Sequence, residues 1–275
     1  VSERAIRRRR EVDEHIDNVA LGEFQQAHGS PVLSPVAIVI AAYKERDNIG
    51  QVLEGIPEKI CELAVSVIVV IDGEEDGTAE IVRRTGYFAV IAPVNRGQGA
   101  ALRLGYRVAR TFGAQYIITA DGDGQTDPNE LSAVLEPVLH NRADFVNGSR
   151  RLGTTHSKDT VRNTGVFVYA AIISFLTHTK VTDTANPVRA MRAELTARLI
   201  LDEPQYQASE VLIGAIMGGA RFMEAPITMR VRATGKSKKG GNLLYGVRYG
   251  RVVFRTYVRE RRRRSKARLR SQPNP

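Results

Sequence analysis

The stretch Tyr116-Ile117-Ile118-Thr119-Ala120-Asp121-Gly122-Asp123-Gly124-Gln125-Thr126-Asp127-Pro128 decides the fold. Apolar, β-rich residues run into two carboxylates spaced one residue apart and then into a Gly-Gln-Thr turn. This is the pattern of a buried strand that ends in an acidic loop. Side chains alternate along a strand, so Asp121 and Asp123 share a face if the extended geometry continues through Gly122. Converging carboxylates repel unless a cation lies between them, and hard oxygen ligands suit Mg²⁺ or Mn²⁺ completed by water and substrate phosphates. An acidic turn without metal is the competing reading of this stretch alone.

Three earlier apolar runs stop in the same way. Val36–Ala42 ends at Tyr43-Lys44-Glu45-Arg46-Asp47-Asn48, and a helix follows through Ile49, Val52, Leu53 and Ile56. Val65–Ile71 ends at Asp72-Gly73-Glu74-Glu75-Asp76-Gly77-Thr78, where a second helix begins. Phe88–Ile91 is followed by Asn95-Arg96-Gly97-Gln98-Gly99-Ala100-Ala101, which opens a third helix reaching about Phe112. Continuously apolar strands alternating with helices predict an open, mostly parallel α/β sheet with its ligand site along the strand C-ends. Carboxylates at those ends (Glu45, Asp72, Asp121 with Asp123) can accept from ribose hydroxyls or a base. Arg96 and the glycine loop at a helix N-terminus suit phosphate or neutral polar groups. The lone Gly-x-Gly lacks dinucleotide spacing, and there is no Walker lysine motif.

Composition narrows the class. A chain of 275 residues, 43% hydrophobic, can bury a large core in one or two domains. The single Cys61 excludes an internal disulfide, and the five His residues show no zinc-ligand spacing. The opening Val1-Ser2-Glu3 carries no signal-peptide pattern, so the expected setting is a reducing cytoplasm. Val166–Leu176, the longest apolar run, is too short to span a bilayer. It reads as core or as a wall beside an acceptor. Net charge is +10, of which residues 1–10 carry +4 and residues 255–270 carry +8, leaving the rest at −2. Basicity confined to the ends argues against a nucleic-acid binder.

Residues 1–34 read as a polar leader, partly helical or mobile, residues 35–240 as the main domain, and residues 241–275 as a basic C-terminal segment. Met223–Val231 looks like paired short strands around Pro226. Leu243, Val247, Phe254 and Val258 recur at helical spacing among Arg248, Arg251 and Arg255, which suits a membrane-surface helix. The Arg261–Arg264 cluster would favour anionic lipid. Packing on the domain, and a solvated tail, are the competing readings. Glu210 lies on a helix over Ser209–Met217, as a general base for a hydroxyl acceptor or as a helix-start glutamate favoured by the dipole.

The series from Ile40 to Glu45, from Ile71 to Thr78, from Asn95 to Ala101 and from Asp121 to Gln125 resembles family 2 glycosyltransferases of GT-A fold. Within them it is most similar to dolichol- or polyprenyl-phosphate mannosyl- and glucosyltransferases. Gly148-Ser149-Arg150, Arg162-Asn163, Asp183-Thr184 to Arg189-Ala190, Glu210, Glu224 to Ile227 and Gly235 to Lys238 agree in order and spacing. The resemblance spans about Val36 to Tyr249 and implies a twisted, mostly parallel sheet flanked by helices with a nucleotide-sugar site at the strand C-ends. It places Tyr43, Glu45 and Asp72 around base and ribose, with Ala41, Arg96, Gln98, Asp121 and Gly122 also on the nucleotide. It gives Asp121, Asp123 and Gln125 to a Mg²⁺ or Mn²⁺ ion, with Asp123, Arg150 and Glu210 as catalytic residues. Arg162, Arg230 and Lys238 fall at positions for the acceptor phosphate. This sequence departs from the pattern at Ala41-Ala42, Lys44, Ile71, Gln98 and Ala185 to Val188.

The function so implied is metal-dependent, inverting transfer of a hexose from GDP-mannose or UDP-glucose to polyprenyl phosphate. The protein would lie peripherally on the inner membrane face, held by its basic C-terminal segment. Two alternatives stand beside it: transfer to a soluble or hydroxyl acceptor with Glu210 as base, and a nucleotide-binding protein of weakened catalysis.

Overall fold

Val36–Ala42 (β1) is buried on both faces because strands flank it on either side and helices cover it above and below. In this computed structural model residues 3–155, 160–230 and 242–270 are described, less the side chains of 3–5, 160–164, 242–245 and 267–270. Ahead of β1 runs a helix, Glu3–His28 (α1). After it come α2 (Arg46–Glu54), the short β2 (Lys59–Ile60), β3 (Leu63–Asp72), α3 (Thr78–Arg84), β4 (Phe88–Ala92), α4 (Gln98–Thr111) and β5 (Tyr116–Asp121). The chain continues through α5 (Leu131–Leu139), β6 (Phe145–Thr155), α6 (Thr160–Thr177), β7 (Arg189–Arg192), α7 (Gln207–Met217), β8 (Phe222–Met229) and α8 (Asn242–Arg270).

The eight strands form one sheet in the order β2-β3-β1-β5-β7-β6-β8, with β4 also on the outer edge of β3. β1 pairs in parallel with β3 and β5, and β3 with β4, as expected for continuous apolar runs. β7 is antiparallel to both β5 and β6, so β6 runs parallel to β5 and their C-ends share one edge. All the acidic loops therefore open on the side where β6 delivers Ser149 and Arg150. Two apolar layers flank the sheet. One contains Val39, Leu104, Tyr106 and Leu212, the other Ile38, Ile40, Leu53 and Leu135.

Three expectations change. Residues 223–229 do not form paired short strands, and residue 231 of the expected pair lies outside the described residues: β8 is one strand, parallel to β6, with Pro226 opposite Ser149. As the last strand of the sheet it tolerates a residue without an N–H. Most of the expected leader is α1, which buries Asp17, Ala20 and Phe24 at i, i+3 and i+7. Phe24 lies against Phe88 and Phe112, with ring centroids 5.7 and 5.1 Å away. The Arg-rich end is not a loose tail up to Arg270. α8 buries Tyr249, Val252, Val253, Thr256 and Glu260 along one face that packs on α7.

Candidate active site at the strand C-ends

The loops after β1 and β3 are tied to each other. The Tyr43 hydroxyl donates to Glu75 (3.4 Å), Lys44 pairs with the same carboxylate (2.6 Å), and the Arg46 N–H donates to Asp76 (3.2 Å). The Glu45 N–H donates to the Thr78 hydroxyl (3.2 Å), while its own carboxylate accepts from Asn48 at the start of α2 (2.9 Å). Tyr43 and Glu45 thus stand together at the strand ends.

Asp72 does something else. One carboxylate oxygen accepts the N–H groups of Arg96 (2.8 Å) and Gly97 (2.6 Å), and the side chain is buried. Burial raises its pKa, partly offset by those two N–H donors and the Arg96 charge. The accepting oxygen fixes the course of the β4–α4 loop, while the other, Oδ1, is buried without a hydrogen-bond partner. Arg96 is also engaged within the fold. Its guanidinium turns away from the strand ends to α1, donating to Asp17 (2.8 Å) and the Asp13 carbonyl (3.1 Å). Arg103 holds the other oxygen of Asp17 (2.9 Å), so α1 braces the loop and α4 through one carboxylate. Gly97 has φ +96°, and a Cβ there or at Gly99 would collide with the carbonyls of Pro204 or Glu203, which explains both glycines.

Gln98 reaches from the start of α4 to Asp121, its amide nitrogen 2.8 Å from Oδ1. Two residues on, the buried Asp123 accepts the Gln125 N–H at 3.2 Å. The loop is then fastened to the end of β8. The Arg230 N–H donates to the Gln125 carbonyl (2.9 Å), and the Gln125 amide donates to the Arg230 carbonyl (3.2 Å). The Arg230 guanidinium pairs with Asp127. A cavity of about 410 Å³ opens against this loop, lined by Ile40, Asn48, Val52, Asp121, Asp123 and Arg230. The donor set (two carboxylates two residues apart and an amide) suits a hard divalent ion that keeps water and takes phosphate oxygens. Among the described residues no cluster of three His, Cys, Asp or Glu side chains makes a closed metal cage.

On the far side of the sheet Arg150 is buried, and Asp183 binds it three ways. The backbone N–H (3.1 Å), Nε (2.6 Å) and Nη2 (2.8 Å) all donate to that carboxylate. Burial disfavours charge on Asp183, yet the Arg150 hydrogen bonds and charge outweigh it and hold the carboxyl below its ordinary range.

The comparisons with known proteins follow this geometry. The family model described as Glycosyl transferase family 2 matches residues 37–200, from β1 through β7 to the following turn. The chain belongs to glycosyl transferase family 2. An uncharacterized protein of Methanocaldococcus jannaschii is 30% identical over 82% of this chain and 92% of its own. A dolichyl-phosphate hexose transferase of Haloferax volcanii is 29% identical, over 83% and 96%. An undecaprenyl-phosphate mannosyltransferase of Micrococcus luteus is 27% identical, over 76% and 89%. Glucosyl-3-phosphoglycerate synthase of Mycobacterium tuberculosis, crystallised with Mn²⁺ and UDP, superposes with a TM-score of 0.63. It is 18% identical and covers 87% of this chain and 83% of its own. The fold is GT-A, and the protein is a glycosyltransferase.

In this family 2 glycosyltransferase Glu210 is engaged within the fold. Glu210 is buried at 1% exposure, pairs with Arg259 of α8 at 2.9 Å, and accepts the N–H of Glu203 at 2.8 Å. Burial raises its pKa, and Arg259 works against that rise. The carboxylate anchors α8 and the segment before α7. Glu210→Gln is therefore expected to keep kcat within a few-fold and to lower the unfolding midpoint, whereas loss of a general base costs about 10²–10⁴-fold in rate. Steady-state kinetics beside a thermal melt decides between the two.

Arg150 of the glycosyltransferase, with its fork on Asp183, ties the end of β6 to the segment before β7. Of the expected acceptor cations, Arg230 sits at the acidic loop, paired with Asp127. The Arg162 side chain and all of Lys238 lie outside the described residues. The sequence reading assigned no role to the polar layer beneath the strand ends. Arg189 donates to Asn147 (3.1 Å) and to the Asn186 carbonyl (3.0 Å), while Glu224 accepts the N–H groups of Thr182 (2.8 Å) and Asp183 (3.1 Å). Burial lowers the Arg189 pKa, and Asp183 and Asp121 are among the charges that oppose this. Asp183-Thr184, Arg189 and Glu224 stood in the motif series, which was the available signal.

Proposed function

We propose that this glycosyltransferase moves a hexose from a nucleotide sugar, GDP-mannose or UDP-glucose, onto a polyprenyl phosphate with inversion at the anomeric carbon. What carries the acceptor assignment is the engagement of Glu210. A hydroxyl acceptor needs a base, but an acceptor phosphate is already ionised at neutral pH, its second pKa being about 6. The relatives named for dolichyl-phosphate and undecaprenyl-phosphate transfer support the same acceptor class.

Asp121, Asp123 and Gln125 would hold the Mg²⁺ or Mn²⁺ ion, in keeping with the Mn²⁺ and Mg²⁺ found in crystals of proteins of the same fold. Bound there, the ion supplies Lewis-acid neutralisation of the departing diphosphate. The residues of the chain do the rest. Tyr43 and Glu45 flank base and ribose, Gln98 orients Asp121, and the N-terminus of α4 adds its positive dipole end on the diphosphate side. An acceptor phosphate oxygen forms the new bond to the anomeric carbon. The bond to the diphosphate oxygen breaks, and its electron pair leaves with the nucleoside diphosphate. No proton has to move. Arg150 and Asp183 keep the end of β6 in register beside that line of attack.

The pairing of Glu210 with Arg259 weighs against the hydroxyl-acceptor alternative. The proposed setting is the inner face of a membrane, with the chain peripheral. No helix among the described residues is long and apolar enough to cross one. The test is a transfer assay with each donor and polyprenyl phosphate in Mn²⁺ or Mg²⁺. Lipid-linked sugar from one donor supports the reading, and sugar transferred only to water-soluble acceptors overturns it.

A further inference from the structure

We propose that the outer face of α6, joined by the solvent-facing stripe of α8, is the surface by which the chain docks on an anionic lipid membrane. It deepens the lipid-phosphate reading and rests on it for the acceptor, though not for the docking itself.

α6 turns Phe167, Val168, Ala171, Ile172 and Phe175 to solvent while Ala170 and Ile173 are buried on its other side. The spacing i, i+1, i+4, i+5, i+8 makes them one continuous stripe. Phe175 is 78% exposed and Phe167 53%. Single exposed apolar residues are ordinary on a protein surface, but an unbroken stripe of them marks a contact site. α8 lies alongside: the Tyr169 hydroxyl donates to the Gly246 carbonyl at 2.6 Å, and the Tyr169 and Tyr249 rings meet at 4.7 Å. From there Val247, Arg251 and Phe254 face solvent at i, i+4 and i+7. The stripe continues into a shallow groove of about 500 Å³ between Phe254, Val258, Arg261, Arg262 and Lys266.

Charge selects the occupant. α6 contains no acidic residue, and the only one in α8, Glu260, is buried against Arg259 and Arg263. Arg151 stacks over the Phe167 ring at 4.7 Å, and Lys180 is exposed just beyond the far end of α6. An apolar stripe bordered by cations matches acyl chains beneath anionic headgroups, with the long basic side chains reaching up to phosphate. A second copy of the same face would set arginines against arginines. Placement fits as well. α6 starts beyond the C-end of β6, and the segment after it returns to Thr182, whose hydroxyl shares a 2.6 Å hydrogen bond with Ser149. The stripe therefore flanks the sheet edge at which the C-ends of β5 and β6 lie. The basic helix alone was the expected anchor; the structure adds α6 as the apolar half of the surface.

The experiment uses the full chain and sedimentation with vesicles of phosphatidylglycerol and phosphatidylcholine, at about 0.1 M and about 0.5 M salt. The wild-type chain binds, and Phe167→Ser with Phe175→Ser lowers the partition coefficient on the order of 10- to 100-fold at both salt concentrations. Arg251→Gln with Arg261→Gln weakens binding chiefly at low salt. Turnover of a short, water-soluble prenyl phosphate is unchanged in the Phe variant, which shows the fold and site to be intact. Absence of wild-type binding, or wild-type binding by the Phe variant, overturns the proposal. So does a concentration-dependent wild-type dimer that the Phe variant converts to monomer. Vesicle binding lost in the Phe variant, in a chain that transfers no sugar to any prenyl phosphate, sustains the docking surface and overturns the polyprenyl-phosphate reading.

Discussion

Asp123→Asn is expected to lower metal-dependent transfer on the order of 10³-fold while the melting curve stays close to wild type. The substitution keeps the shape of the side chain and an oxygen to accept the Gln125 N–H, now 3.2 Å from Asp123. It removes one of the two carboxylates proposed for the ion, leaving Asp121 and the Gln125 amide, while Asp127 of the same loop pairs with Arg230. Asp121 retains its hydrogen bond from Gln98, so the loop keeps its tie to α4. Steady-state rates across a Mn²⁺ titration measure the effect. A weaker apparent metal affinity with a collapsed kcat is the expected outcome, and undiminished rates at ordinary Mn²⁺ would sink the proposed metal role.

The second large effect concerns stability. Asp183→Leu leaves the buried Arg150 guanidinium and backbone N–H, and the Ala185 N–H, without their acceptor. Breaking one side of a buried pair costs about 3–5 kcal/mol, whereas replacing both partners by apolar groups is often far milder. The double variant Arg150→Met with Asp183→Leu should thus be more stable than Asp183→Leu alone. Denaturant unfolding reads this as midpoints at unchanged slope. Equal midpoints for the two variants would mean that the stranded Arg150 charge costs nothing. The pair also carries a pH signature. The Asp183 carboxyl is held below its ordinary value of 3.8, so its stabilisation is present above that pH and is lost as pH falls through the lower folded value. In the Asp183→Leu chain that acid-side loss is absent.

Much of the sheet was legible because β1, β3 and β5 are covered on both faces and so read as unbroken apolar runs. The acidic loops were legible because they end those runs. β7 was not: its four residues, Arg189–Arg192, carry an arginine at each end and give no strand pattern, yet they join β5 to β6. The terminal helices were misjudged for a related reason. Charge was read as facing solvent, while Asp17 and Glu260 point inward, each against arginines. Arg150 and Glu210 show what local reading misses. Both are the right residue type for chemistry, but their partners lie 33 and 49 positions away, and only the folded chain shows that those partners already hold them.

One measurement tests the account most directly. Purified protein is given labelled GDP-mannose or UDP-glucose, Mn²⁺, and either polyprenyl phosphate or the corresponding polyprenol, and the product is partitioned into organic solvent. The predicted result is label in the organic phase with one donor and only with the phosphate, because Glu210, the base an alcohol acceptor would use, is paired with Arg259. Equal labelling of the alcohol, or label confined to the aqueous phase with both lipids, would contradict it.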